Sequence, residues 1–461
     1  MNKEQFNQAL FGFLDTSPTP YHALKNQIAS FELHGFQRLV ESDSWRLESG
    51  QAYYVSRNDS SLIAFVYGQD DPVSSGIRIL GAHTDSPCLK VKPNAEILKQ
   101  AYLQLGVEVY GGVLLNTWFD RDLSLAGKLV YQDSSAQLHS CFLDFERPIA
   151  MLPSLAIHLD REANKNHSIN PQTDLPPILL ITDQKAESDN SKLDKNSISL
   201  HNILKQQAQK QYPEISIDTI LDFELSFYDI NKASYIGLNN DFIASSRLDN
   251  LLSCFIGMQA LLGADNKCTS LIVCSDHEEV GSASSSGAQG TFLTAVLERL
   301  AGASSRASKT EHSEAMTRMI DRSLLISADN AHAIHPNFSD KHDANHGPIM
   351  NQGPVIKINA NQRYASNCES SALFRVLANK AKVPVQNFVV RTDMGCGSTI
   401  GPITATEIGI KTVDIGVPTF AMHSIRELCG EQDAWYLFKV LQQFFNHSNS
   451  IVLNSQKQSN K

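Results

Sequence analysis

Apolar positions recur along this chain with two different periods. Near the start, Phe6, Ala9, Leu10, Phe13 and Leu14 fall on one face of a helix. Pro18 and Pro20 end it, because neither ring can continue the backbone hydrogen-bond ladder. Short, continuous apolar runs at residues 77–80, 269–274, 323–327, 388–391 and 411–417 read as buried strands. Helical patterns alternate with them: 250–262, with Leu251, Leu252, Phe255 and Ile256 on one face, then 291–300, 370–382 and 434–445. Such alternation predicts an α/β fold, a mainly parallel sheet flanked by helices on both faces.

The texture changes between residues 93 and 234. Leu221, Phe223, Leu225 and Phe227 alternate with polar residues, the period of a half-buried strand. Residues 107–110, 129–131 and 138–142 read as further strands, with one helix near 200–207. The expected organisation is a discontinuous α/β domain, residues 1–92 plus 235–461, carrying an inserted β-rich module at 93–234. Polar stretches at 183–197 and 302–313 read as loops and 446–461 as a frayed tail.

Composition narrows the function classes. A length of 461 residues suits two domains, and 42% hydrophobic with 19% charged residues describes a globular chain. With 39 basic against 49 acidic residues the net charge is -10, which offers no basic field for nucleic acid or anionic lipid. No apolar run approaches the ~20 residues that span a bilayer. The first residues lack the basic-then-apolar layout of a secretory signal. The eight cysteines form no C-x-x-C pair, so reduced core thiols and a cytoplasmic location are expected.

The candidate chemistry is positional. Gly81-Ala82-His83-Thr84-Asp85 follows one predicted strand, and Ser275-Asp276-His277-Glu278-Glu279 follows another. Asp329 ends a third and His423 lies shortly after a fourth, while Asp249 opens the helix at 250–262. In open α/β sheets ligands bind beyond the carboxyl ends of the strands, so these residues are delivered to one edge. Singly, each has an ordinary explanation: Asp249 as a helix cap, Asp329 as a turn-former, Glu278-Glu279 as a solvated loop. Together, two histidines with several carboxylates form the ligand palette of a hydrolytic zinc site. Of the adjacent pair Glu278-Glu279, one carboxylate suits a metal while its neighbour accepts a proton from water. Asp85, grouped with Glu278 as catalytic, is spaced to hold the second ring nitrogen of His83.

On these residues the chain resembles the aspartyl aminopeptidase family of co-catalytic zinc exopeptidases. The resemblance runs from Thr16-Ser17-Pro18-Thr19-Pro20-Tyr21-His22 to Met422-His423-Ser424-Ile425-Arg426-Glu427, through 81–93, 111–125, 157–161, 246–250, 276–282, 327–337, 355–367 and 396–402. It implies two zinc ions per subunit, with Mn2+ or Co2+ as substitutes. His83 and Asp329 would bind one, Glu279 and His423 the other, Asp249 would bridge them, and Glu278 would be the general base. It also implies peptide substrates with acidic N-termini and a homo-dodecamer assembled through the inserted module. His158 would reach from that module into a neighbouring subunit's site; the alternative is a strand histidine in a subunit contact. An acidic substrate side chain needs a cation, for which Lys357 is the candidate with Arg363 behind it; the alternative for both is an ordinary surface charge. Two rival readings share the metal set or the assembly: a dimeric di-zinc deacylase or carboxypeptidase, and a non-catalytic scaffold.

Overall fold

The computed structural model describes residues 1–182, 199–303 and 312–447. Four buried strands, Ser270–Ser275, Arg78–His83, Leu324–Ala328 and Thr412–Gly416, lie side by side and parallel at the centre of a nine-stranded sheet. Burial on both faces is what their near-continuous apolar runs require. Alternate side chains point to opposite faces. Leu80, Ala82, Ile272 and Cys274 pack with Leu251, Phe255, Phe374 and Phe444 of the helices on one side. Ile79, Leu271, Val273 and Leu325 pack with Phe292, Leu297 and Met319 on the other. Each such large apolar side chain contributes roughly 1.5–3 kcal/mol when fully buried. A one-residue slip would exchange the two faces, so the positions of the strand ends are fixed by the core.

The helices Lys3–Asp15, Leu248–Leu262, Phe292–Gly302, Cys368–Ala381 and Asp433–Phe445 match the predicted patterns within a few residues. Gly257 lets the second of these lie close on the sheet, since a Cβ there would stand 2.2 Å from Leu80 Cδ2. A further helix, Pro20–Leu33, was not predicted. The proline that stops the first helix occupies the first turn of this one, where its missing N–H costs nothing.

At its margins the sheet is mixed: Ser61–Val66 and Val355–Lys357 run antiparallel to their inner neighbours. The strand expected at 388–391 is instead Gln386–Phe388, the three residues that Val355–Lys357 can pair.

A second, six-stranded sheet is antiparallel throughout and runs Leu138–Asp144, Leu123–Gln132, Thr219–Asp229, Cys88–Lys99, Tyr102–Tyr110, Ile178–Ile181. The helix Leu200–Gln211 packs into its core, which is separate from that of the first sheet. Leu221 departs from the expected alternation. A bulge between Ile220 and Asp222 turns it outward, 50% exposed, and puts Ile220 in the core instead.

A third sheet of five short strands, Ser234–Ile236, Phe242–Ser245, Glu427–Gly430, Pro418–Phe420 and Ala331–His332, was not foreseen. It carries the chain past the strand ends of the first sheet. The loop expected at 183–197 and most of the stretches 302–313 and 446–461 lie outside the described residues. Among the described residues no helix is long and apolar enough to cross a membrane. All eight cysteines are free thiols.

Candidate metal centre

His83 is the last residue of its strand, Asp276 follows Ser275 directly, and Asp329 follows Ala328. Glu278 and Glu279 begin the short 3-10 turn Glu278–Val280, reached through His277 in the left-handed region at φ 62°. Asp249 stands at the head of Leu248–Leu262 with extended backbone, and its peptide bond to Asn250 is cis. His423 follows Pro418–Phe420 in a turn at φ 67°. Positive φ at a bulky residue is strained, and such strain persists only where surroundings impose it.

These side chains meet. His83 Nε2 lies 3.4 Å from Asp249 Oδ1, 3.6 Å from Asp329 Oδ1 and 3.9 Å from Glu278 Oε2. His423 Nε2 lies 3.6 Å from Asp249 Oδ2 and 3.4 Å from Glu279 Oε2. Asp249 thus turns one oxygen to each imidazole. Ligand atoms of His83, Asp249 and Glu279 all fall within 4.8 Å of one another.

The donor chemistry fits divalent cations. His83 Nδ1 donates to the carbonyl of Asp85 at 3.0 Å and His423 Nδ1 to the carbonyl of Gly112 at 3.0 Å. Each ring therefore has its Nδ1 proton fixed and presents Nε2 to carboxylates, at separations wider than an ordinary hydrogen bond. Asp249 Oδ1, Glu279 Oε1 and Asp329 Oδ1 are buried and accept no hydrogen bond. Leaving a buried acceptor unsatisfied costs about 1–3 kcal/mol, more for a charged one, and a shared cation removes that cost.

Asp85 organises the approach from behind. It is 1% exposed, and Oδ1 accepts the backbone N–H of Glu278 at 3.1 Å. Its Oδ2 accepts the N–H of Glu279 at 3.0 Å and the hydroxyl of Tyr110 at 2.7 Å. Burial pushes the Asp85 carboxyl up, but His83, Tyr110 and Glu279 outweigh it and hold the group below the usual carboxylate range. Burial, opposed by His83 and reinforced by Asp329, Asp249 and Asp85, pushes Glu278 up to about 7. Burial and then Asp249 push Glu279 well up.

The other sequence-predicted residues divide. Lys357 is 2% exposed and donates to Asp329 Oδ2 at 3.1 Å and to the carbonyl of Asn330 at 3.0 Å, so it is not a surface charge. Arg363 is exposed. His158 is exposed in the turn at 157–159 rather than in a strand. Among the described residues, no hydrogen bond or ion pair joins His158 to the cluster.

Sequence reasoning passed over Tyr110 and Glu427 as site residues. Tyr110 closes a strand of the second sheet, so only the tertiary contact between sheets reveals it. Gly111, next to it, sits at φ 72° with its Cβ position 3.0 Å from Glu279 Cβ, a close approach that suits glycine. Glu427, four residues after His423, was legible only as part of a matching stretch.

The family described as aminopeptidase I zinc metalloprotease (M18) matches residues 13–445. A probable M18 family aminopeptidase 2 of Pseudomonas syringae pv. tomato is 54% identical over 445 residues, covering 96% of this chain and 98% of that protein. A probable M18 family aminopeptidase 2 of Azotobacter vinelandii is 53% identical over 444 residues, covering 96% and 99%. Among solved structures, a chain of the Ape4 and Nbr1 complex, determined by cryo-EM, is 39% identical with a TM-score of 0.90, covering 96% of this chain and 86% of its own. A chain of the S. cerevisiae mApe1 dodecamer is 27% identical with a TM-score of 0.83, covering 98% of both.

Proposed function

Since the chain belongs to the aminopeptidase I zinc metalloprotease (M18) family and is a zinc metalloaminopeptidase, we propose that it hydrolyses single residues from peptide N-termini at a two-zinc centre, preferring acidic residues. The observation that carries this reading is Asp249, whose two oxygens face His83 and His423 at 3.4 Å and 3.6 Å. His83 and Asp329 would hold one cation, Glu279 and His423 the other, with Asp249 shared. When bound, a zinc pair supplies Lewis acidity that polarises the scissile carbonyl and makes water ionise near neutrality.

The residues then divide the remaining work. Glu278 accepts the proton of the attacking water at its carboxylate and returns it to the leaving amine. Its place beside His83 and its burial suit a group that must exchange a proton near neutral pH. Asp85 fixes the turn that carries Glu278 and Glu279, so the base and its neighbouring ligand keep their separation. Carboxylates around the site attract the free α-amine of a peptide, which sets the exopeptidase register.

Lys357 spends two of its three N–H donors on Asp329 and Asn330. The third is assigned to the acidic side chain of the substrate's first residue. The six-stranded module is read as the oligomerisation domain of a cytoplasmic homo-dodecamer, with His158 entering a neighbouring subunit's site; the mApe1 relative is itself described as a dodecamer. A panel of aspartyl, glutamyl and leucyl peptides, assayed with chelator and with zinc, manganese or cobalt restored, tests this reading. Metal-independent cleavage, or none on any N-terminus, would refute it.

A further inference from the structure

Glu427 opens a strand of the five-stranded sheet and is 2% exposed. Its two oxygens are divided between two separate loops. Oε2 accepts the backbone N–H of Asp249 at 2.9 Å, and Oε1 accepts the backbone N–H of His423 at 2.8 Å. Among the described residues no ion pair includes it, and its carboxylate's hydrogen bonds are to these two amides. A buried carboxylate without a cation partner is costly, and the two N–H donors offset only part of that cost.

We propose that Glu427 is a positioning residue for the second cation, the one held by Glu279 and His423. The inference rests on the two-cation reading above. Its basis is an asymmetry between the two halves of the centre. His83 and Asp329 stand at the ends of central strands, where the ladder and two packed faces fix them. His423 stands outside that central ladder, in the turn between the short strands Pro418–Phe420 and Glu427–Gly430. It sits in a turn at positive φ, and its side chain is 29% exposed.

Three anchors hold His423: its carbonyl accepts from Leu114 N at 3.0 Å, its Nδ1 donates to the carbonyl of Gly112, and its N–H reaches Glu427. The first two come from the loop after Tyr102–Tyr110, in the other sheet's connection. Glu427 joins the backbone of His423 to that of Asp249 through one carboxylate, and the spacing of those two residues determines whether a cation can be shared. A carboxylate is needed because both partners are donors. An amide at this position would turn an NH2 toward one of the two N–H groups.

The test is calorimetric titration of zinc into chelator-stripped, full-length protein, wild type against Glu427→Gln and Glu427→Asp. The aspartate variant keeps the charge but is one methylene too short to span both amides. Wild type is expected to take up two ions. In Glu427→Gln one is expected to bind as in wild type and the other about 10–100-fold more weakly, the usual cost of losing an outer-shell partner. Glu427→Asp should fall between. With cobalt(II), the visible spectrum of the second equivalent should change while that of the first does not.

Wild-type protein that binds fewer than two ions would remove the two-cation reading itself. Wild type binding two, with both affinities unchanged in Glu427→Gln, would overturn the role of Glu427. Equal weakening of both ions would overturn it too, since that marks a general contribution to the fold. So would failure of both variants to fold.

Discussion

Lys357 Nζ lies 3.1 Å from Asp329 Oδ2 in a position only 2% exposed, so a lysine proposed as a specificity determinant is also the ion-pair partner of a proposed metal ligand. The two roles separate by experiment. Losing a charge-assisted hydrogen bond to substrate costs about 1.5–3 kcal/mol, which is roughly a 10–100-fold loss in kcat/KM. Lys357→Ala is therefore expected to lower kcat/KM on aspartyl substrates by that factor and to affect leucyl substrates much less. An equal loss on both would leave Lys357 as the partner of Asp329 only.

Glu278 Oε2 stands 3.9 Å from His83 Nε2 and belongs to neither proposed ligand set. Glu278→Gln preserves size and removes the proton acceptor. General-base catalysis contributes about 10²–10⁴-fold, so kcat should fall by that amount while zinc content stays at the wild-type level. Near-normal kcat would move the role of base to another group.

Asp85 acts on the site through backbone. Asp85→Asn would place an NH2 against either the Glu278 or the Glu279 amide, each of which donates to Asp85 now. The turn carrying both glutamates should loosen. A decrease of about 10–100-fold in kcat, or in zinc affinity, is expected. Steady-state assays beside metal titration read both. If neither changes, the turn is held by other contacts.

How much of this was readable from the chain follows from where the forces act. The central strands and the helices against them were legible because burial on both faces writes long apolar runs into the sequence, and their ends placed His83, Glu278, Glu279 and Asp329. Asp249 and His423 were legible as candidates, while their distances were not. The five-stranded sheet was missed because strands such as Ala331–His332 are too short to show a period. Leu221 was misread because a bulge shifts the alternation without changing the pattern of residue types. Tyr110 reaches Asp85 and Glu427 reaches Asp249 through contacts between distant segments, which no local window contains.

Removal of metal should also loosen the fold. Asp249, Glu279 and Asp329 each bury an oxygen with no hydrogen-bond partner, and the carboxylates repel one another when no cation lies between them. A ligand that binds only the folded state stabilises it by about 2.7 kcal/mol at 100 times its Kd. Chelator treatment is expected to lower the Tm, and restoring zinc at that excess should return it. A Tm indifferent to chelator would mean that the cluster holds no tightly bound ion.

The acid side of the stability curve should carry a signature of His22, which is outside the proposed ligand set. Its ring is 7% exposed and bonded to Thr19 Oγ1 at 2.8 Å. Burial first, then Lys25 and Arg247, push His22 down to about 4. The unfolded chain protonates this ring near 6.5, whereas the folded chain resists until about pH 4. Between those values the unfolded state binds more protons, so stability falls as pH drops, by roughly 3 kcal/mol in full. His22→Gln cannot titrate. At pH 7.5 the variant should be less stable than wild type through lost packing, and at pH 5 that gap should narrow by roughly 2 kcal/mol. Denaturant unfolding of both proteins at the two pH values measures it, and a gap that does not change would show that His22 takes up no proton on unfolding.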